Sequence, residues 1–273
     1  MIAKLGMTEP NSLKNLQGQL RLTMLDMYKR VNAGHIGCAL SCIDILIASL
    51  VLRKTENDDF ILSKGHAAAA LYACLNYRDE ISDDELMTYY KNGTSLPAHP
   101  VAAKYGCIPF ATGSLGHGLP ISCGIAKANK MNKNAGYAYV VMSDGETNEG
   151  TTWEASHFAV AHKLDNLIAI IDRNGIQGFG NTKNILGDTA SPGLWKNLGY
   201  DIIEVDGHHV EEMISAIDEL KGLKNNKPKL IIANTVKGKG VSFMENEMAW
   251  HYLPMDDGQF EKAKQEIQKK YLS

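Results

Sequence analysis

YAYVVMSDGE, residues 137–146, and LIAIIDRNGI, residues 167–176, decide the fold. Each opens on a short, unbroken apolar run, the pattern of a strand covered on both faces, where no side chain meets water. DIIEV at 201–205 and KLIIAN at 229–234 have the same character. Helices are expected between these runs at 152–164, around 192–198 and at 210–220. Alternating strands and helices predict an α/β protein with a doubly wound, mainly parallel sheet and helices on both faces. Such sheets bind ligands outside the carboxyl ends of their strands, where Asp144 and Asn174 fall.

Upstream, Leu13, Leu16, Leu20, Met24, Met27 and Val31 recur at three- and four-residue steps and describe one helical face. A second apolar helix is expected at 43–52. DDFIL then predicts a buried strand, 63–65 a loop, and the alanine-rich stretch a helix, with His66 at the junction. Ser82 to Glu85 form a capping-box signal for a surface helix ending near Asn92-Gly93. GQFEKAKQEIQKKYL near the C-terminus predicts a charged amphipathic helix with a solvated face. No linker, repeat or low-complexity tract interrupts the sequence, so residues 1–273 are expected to form one domain.

A net charge of −3 and pI near 6.3, with both signs interspersed, argue against nucleic acid or an anionic membrane as partner and favour a small-molecule ligand. The N-terminal stretch lacks a signal-peptide core, and no apolar stretch approaches the roughly 20 residues of a spanning helix, so a cytoplasmic protein is expected. Cys38, Cys42, Cys74, Cys107 and Cys123 are odd in number and lack CxxC pairing, which predicts reduced, mostly buried thiols.

A carboxylate ending a strand, followed by a glycine and a helix start, suits a metal ion holding a phosphate: glycine admits the anion and the helix end supplies amide donors. Asp144, Gly145 and Glu146 sit in that position. Adjacent parallel strands finish at one edge, so Asp144 and Asn174 can converge on one ion together with the carbonyl of Ile176. Such hard oxygen ligands suit octahedral magnesium, or another divalent cation such as calcium or manganese, completed by diphosphate oxygens and water. The same residues also read as ordinary strand-end turns, and their position after two buried strands favours a site.

SDG, then roughly thirty residues, then N resembles the thiamine-diphosphate signature usually written GDG…N, with Ser143 replacing the first glycine. From Gly34 to His251 the chain is similar to transketolases. AGHIGCALSCIDIL resembles the first histidine motif, so the resemblance implies that His35 lines the substrate channel. LSKGHAAAALYA resembles the second, placing Lys64 and His66 near the diphosphate and donor sugar. PAHPV resembles the third and places His99 against the donor's terminal hydroxyl. TGSLGHGLP is similar to the loop whose Gly113, Ser114 and Leu115 backbone lies against the cofactor rings. TVKGKGVSFMENEMAWH matches a late motif that returns Lys237 and His251 to the site. Glu149 and Glu154 resemble acidic residues that link two cofactor sites across a dimer interface, and they also read as helix-start carboxylates. Cys38 and His117 depart from residues common in relatives.

The implied activity is a transketolase reaction, ketol transfer from a ketose to an aldose with thiamine diphosphate as electron sink. Histidine suits both the holding of sugar hydroxyls and the removal of a proton near neutral pH. His35, His66, His99 and His251 are the candidates, with His35 or His251 preferred as proton acceptor. In full-length transketolases the glutamate that activates the pyrimidine ring lies in a following stretch. The resemblance therefore implies a split enzyme: an A2B2 heterotetramer with a C-terminal subunit that supplies the pyrimidine-binding domain.

A dinucleotide-dependent oxidoreductase fits poorly, because GSLGHG and GIQGFG are spaced GxxGxG. The α subunit of a 2-oxoacid dehydrogenase would share the metal signature but has no sugar chain for four histidines to hold. A non-catalytic homologue would not be expected to keep the whole set.

Overall fold

The computed structural model describes residues 10–102 and 105–273, and the expectation about the first nine residues lies outside them. Helix α1 (Pro10–Val31) presents Leu13, Leu16, Leu20, Met24 and Met27 to the core, as their spacing predicts. Helix α2 (Ile36–Leu46) continues as a π-type stretch, Ile47–Arg53. It starts well before the expected 43, because no capping side chain marks its entry. His35 instead turns into it through a left-handed φ of 73°. The continuous run Ile36–Arg53 also corrects the membrane reading: it is long and apolar enough to cross a bilayer, yet it lies buried as a core helix.

Strand β1 (Asp59–Leu62) leads through a short 3-10 turn, Gly65–Ala67, into α3 (Ala68–Tyr77). The Ser82 capping box forms, but its helix α4 covers only Asp83–Leu86. The helix thus stops six residues short of Asn92, and Tyr90, at a φ of 56°, turns the chain. Then follow α5 (Gly118–Met131), β2 (Ala138–Ser143), a 3-10 turn Asp144–Asn148, α6 (Gly150–Ala161) and β3 (Leu167–Arg173). A hairpin of β4 (Ile176–Gln177) and β5 (Gly180–Asn181) precedes α7 (Thr182–Leu186) and α8 (Pro192–Leu198). Strand β6 (Asp201–Asp206), α9 (Val210–Gly222), β7 (Lys229–Asn234) and α10 (Asp257–Tyr271) complete the order.

The main sheet runs β1-β2-β3-β7-β6, every pair parallel. Side chains alternate between its faces. Tyr139, Val141, Ile168, Ile170 and Ile231 join the core with α1, α2, α3 and α9. Val140, Met142, Ala169, Ile171 and Ile232 join another with α5, α6 and α8. The continuous apolar runs thus become strands covered on both faces, which is the doubly wound arrangement. DIIEV differs: β6 is an edge strand whose residues are half-buried or, at Glu204 and Asp206, exposed. The C-terminal helix is also more than a solvated face, since Ala263, Ile267 and Tyr271 are buried in the core that includes α1.

Candidate functional site

Register fixes the site. In the β2–β3 ladder Ser143 pairs with Asp172, so the chain leaves both strands at one edge, and Asp144 and Asn174 line a single cavity of about 430 Å³. The Asp144 carboxylate is buried. Its Oδ2 accepts from the Gly175 amide at 2.7 Å and Thr182 Oγ1 at 3.2 Å, whereas its Oδ1 takes no hydrogen bond among the described residues. Burial and the neighbouring Asp172 raise its pKa above the ordinary carboxylate value, an environment that a cation would relieve. Asn174 Oδ1 accepts from the Ile176 amide at 3.1 Å. The Ile176 carbonyl accepts from Lys237 Nζ at 3.1 Å.

Gly145 lines the same cavity, and a Cβ there would sit 3.0 Å from Gln177 Oε1. Among the described residues no cluster of three His, Cys, Asp or Glu side chains offers a metal site. A carboxylate, an amide oxygen and a main-chain carbonyl are still the hard donor set for a divalent cation that an anionic cofactor completes. The donors present therefore fit the expected group.

The four histidines line the same cavity. His35 lies with its ring centroid 5.7 Å from His66, 6.1 Å from His99 and 5.3 Å from His251. His66 and His251 stack at 5.5 Å. Burial lowers the pKa of all four, aided at His35 by His99 and Lys237, and at His66 by Lys64 and His251. His251, half-buried and beside Lys237, is pushed down to about 3. These are neutral imidazoles at pH 7.

Close backbone contacts bring them together. The His35 amide donates to the His251 carbonyl at 3.1 Å, and a Cβ on Gly34 would lie 2.3 Å from the carbonyl oxygen of Tyr252. A Cβ on Gly65, beside His66, would meet the Gly113 amide at 2.7 Å, so the two loops touch main chain to main chain. His35 keeps a left-handed backbone that a branch-free glycine would adopt more readily.

The other expected residues divide. Lys64, Gly113, Leu115, Lys237 and Glu149 line the cavity, with Glu149 exposed at the start of α6. Lys64 is fully buried in an ion pair with Asp172 and donates to the Cys38 carbonyl at 3.2 Å. Ser114 and Glu154 are exposed and stand outside the lining. Glu146 also stands outside: its buried carboxylate accepts from Ser63 Oγ, from the Gly116 amide at 3.0 Å and from the Ser143 amide at 2.9 Å. It ties the glycine loop to the sheet edge. His117 is exposed and bonded to the Leu115 carbonyl, whereas Cys38 lines the cavity with Sγ 3.5 Å from His251 Nδ1.

Sequence reasoning missed Asp172, the buried acceptor for Ser41, Lys64 and Thr235. A charge closing an apolar run was the available signal. It also missed the hydrophobic rim of Phe179, Ile185 and Leu186, all exposed, because nothing local marks a loop residue as facing a cavity.

A doubly wound sheet whose strand ends gather an oxygen donor set and four neutral imidazoles defines a cofactor-binding α/β enzyme domain. Residues 13–270 match the family described as transketolase, thiamine diphosphate binding domain. An apulose-4-phosphate transketolase subunit from Phocaeicola vulgatus is 38% identical over 90% of this chain and 90% of its own length. The 6-deoxy-6-sulfo-D-fructose transketolase subunit SqwG of a Clostridium species is 34% identical, over 94% of this chain and 96% of its own. The solved transketolase of Campylobacter jejuni superposes with a TM-score of 0.85 at 28% identity, covering 95% of this chain, which spans only 43% of that protein. The chain belongs to the transketolase family of transferases and carries its thiamine diphosphate-binding domain.

Proposed function

We propose that residues 1–273 act as the N-terminal subunit of a two-chain transketolase, which transfers a two-carbon ketol unit from a ketose to an aldose. The observation that carries this reading is the convergence of Asp144, Asn174, Ile176 and four neutral imidazoles on one cavity. Asp144, Asn174 and the Ile176 carbonyl would hold magnesium, or calcium or manganese in its place, and Gly145 would admit the diphosphate. Bound there, thiamine diphosphate supplies a nucleophilic carbon and an electron sink for cleavage next to a ketose carbonyl.

The protein's own part is to orient the sugar and move one proton. Lys237 Nζ donates to His251 Nδ1 at 2.9 Å, which leaves the ring proton on Nε2. His251 therefore offers a donor, and proton removal falls to His35, which is half-buried and unprotonated. His66 and His99 complete the hydroxyl contacts.

Relatives of matching length are named transketolase subunits, which supports a partner. That partner would be a C-terminal subunit carrying the pyrimidine-binding domain, in an A2B2 heterotetramer, with Glu149 on the side facing a second copy. The test mixes this chain with its partner, thiamine diphosphate, magnesium and ketose–aldose pairs. Two-carbon transfer is expected, and activity of this chain alone, or none with any pair, contradicts the proposal.

A further inference from the structure

A buried polar chain runs from α1 to the loop after β7, outside the cavity. Arg21 and Asp44, both fully buried, form a bidentate pair: Nη1 to Oδ1 at 2.8 Å and Nη2 to Oδ2 at 2.5 Å. Gln17 Nε2 donates to Oδ1 at 2.9 Å, and Tyr271 lies with its ring 4.6 Å from the Arg21 guanidinium carbon. His208 joins the chain with Nδ1 2.8 Å from Asp44 Oδ2, and its Nε2 accepts from the Val236 amide at 2.8 Å. A backbone amide can only donate, so Nε2 carries no proton. The proton then sits on Nδ1, facing the carboxylate, and the two partners leave the ring one tautomer.

The amide so held belongs to the residue before Lys237. That lysine reaches Ile176 O at 3.1 Å and His251 Nδ1 at 2.9 Å, touching the metal-side donors and the histidine cluster together. The segment around it is neither strand nor helix; its amides at Thr235 and Gly238 donate to Arg173 O and Gly37 O at 3.1 and 3.0 Å, and its carbonyls at Val236 and Lys237 accept from the Lys239 and Asn246 amides at 3.2 and 2.9 Å. Between the Thr235 and Gly238 amides, that of Val236 has His208 as its acceptor.

We propose that His208 is a positioning residue, whose Nε2 anchors the Val236 amide and thereby aims Lys237 into the cavity. His208 lines no part of the cavity itself. A displacement of about 1 Å at a positioned group costs on the order of 100-fold in rate, so a remote anchor of this kind matters. The inference rests on the functional reading above, in which Lys237 stands between the Ile176 carbonyl and His251 at the cofactor end of the cavity.

The test uses the full chain with its partner chain and calorimetric titration with thiamine diphosphate and magnesium. His208→Phe, which removes the acceptor, is expected to weaken magnesium-dependent cofactor binding by about tenfold or more, the usual cost of losing an outer-shell partner. His208→Gln, whose Oε1 can accept the Val236 amide, should recover most of it. In a Lys237→Met background His208→Phe should add no further loss, because the two act in series. Equal losses in both backgrounds, or no loss in either, overturn the proposal. Nitrogen-15 spectra of histidine in the unmodified chain judge it independently of variant folding: Nδ1 protonated and Nε2 bare at His208 is expected, and the opposite tautomer overturns it. Failure of the unmodified complex to bind thiamine diphosphate would instead defeat the functional reading, while the spectra still decide the His208 tautomer.

Discussion

Lys64 and Asp172 meet as a fully buried ion pair at the cavity wall. Burial alone would raise the carboxylate's pKa, but the Lys64 ammonium and the hydroxyls of Ser41 and Thr235 outweigh it and hold it below the ordinary value. Breaking such a pair leaves one charge buried and uncompensated, at a cost of about 3–5 kcal/mol. Lys64→Met should therefore lower the denaturation midpoint sharply, and adding Asp172→Asn should restore part of it. A single variant as stable as the wild type would contradict the assignment.

Asp144→Ala removes the acceptor of the Gly175 amide and the Thr182 hydroxyl as well as the proposed cation ligand. The expected stability cost is about 1–3 kcal/mol, small enough for the fold to persist. Calorimetry should nevertheless find magnesium-dependent binding of thiamine diphosphate abolished. Unchanged affinity would remove Asp144 from the site.

Glu146 should behave differently. Replacing it with alanine strands the Gly116 and Ser143 amides in a dry environment, at about 1–3 kcal/mol each. We expect a lowered melting temperature, with cofactor affinity falling only as far as the glycine loop loosens. A large affinity loss at full thermal stability would instead show direct contact.

Acid sensitivity follows from the histidine cluster. All four pKa values are lowered in the folded chain, while an unfolded histidine titrates near 6.5. Below that value the unfolded chain binds protons that the folded chain refuses. Stability is thus retained above about pH 6.5 and declines as pH falls toward the folded values. Urea midpoints measured between pH 7.5 and 5 should fall, and His66→Asn should flatten the slope. A pH-independent midpoint would contradict burial of the neutral rings.

His35→Ala is expected to reduce turnover by about 100- to 10,000-fold, the usual contribution of a positioned base, with a smaller change in cofactor affinity. Steady-state kinetics of the complex separate the two. Wild-type turnover would reassign the proton acceptor.

The strands were legible because covered strands write themselves as unbroken apolar runs: LIAIID and KLIIAN need no tertiary context to be read. Asp144 and Asn174 were legible for the same reason, standing where those runs stop. The beginning of α2 was not, since its entry depends on the left-handed turn at His35 and on the main chain of Tyr252, more than two hundred residues away in sequence. The inward turn of Glu146 was equally hidden. One carboxylate after an SDG looks much like another until Ser63 and Gly116 arrive from a different loop. The role of β6 as an edge depends on strand order, which its own composition does not carry.

The β2–β3 ladder works as a ruler. Adding or removing one residue in either strand would move the proposed cation ligand that follows it by about 3.3 Å and exchange its inward and outward side chains. Length changes in this chain are therefore tolerable in the connections at the opposite end of the sheet, but not within those two strands. Any redesign that lengthens the scaffold has to leave that spacing untouched.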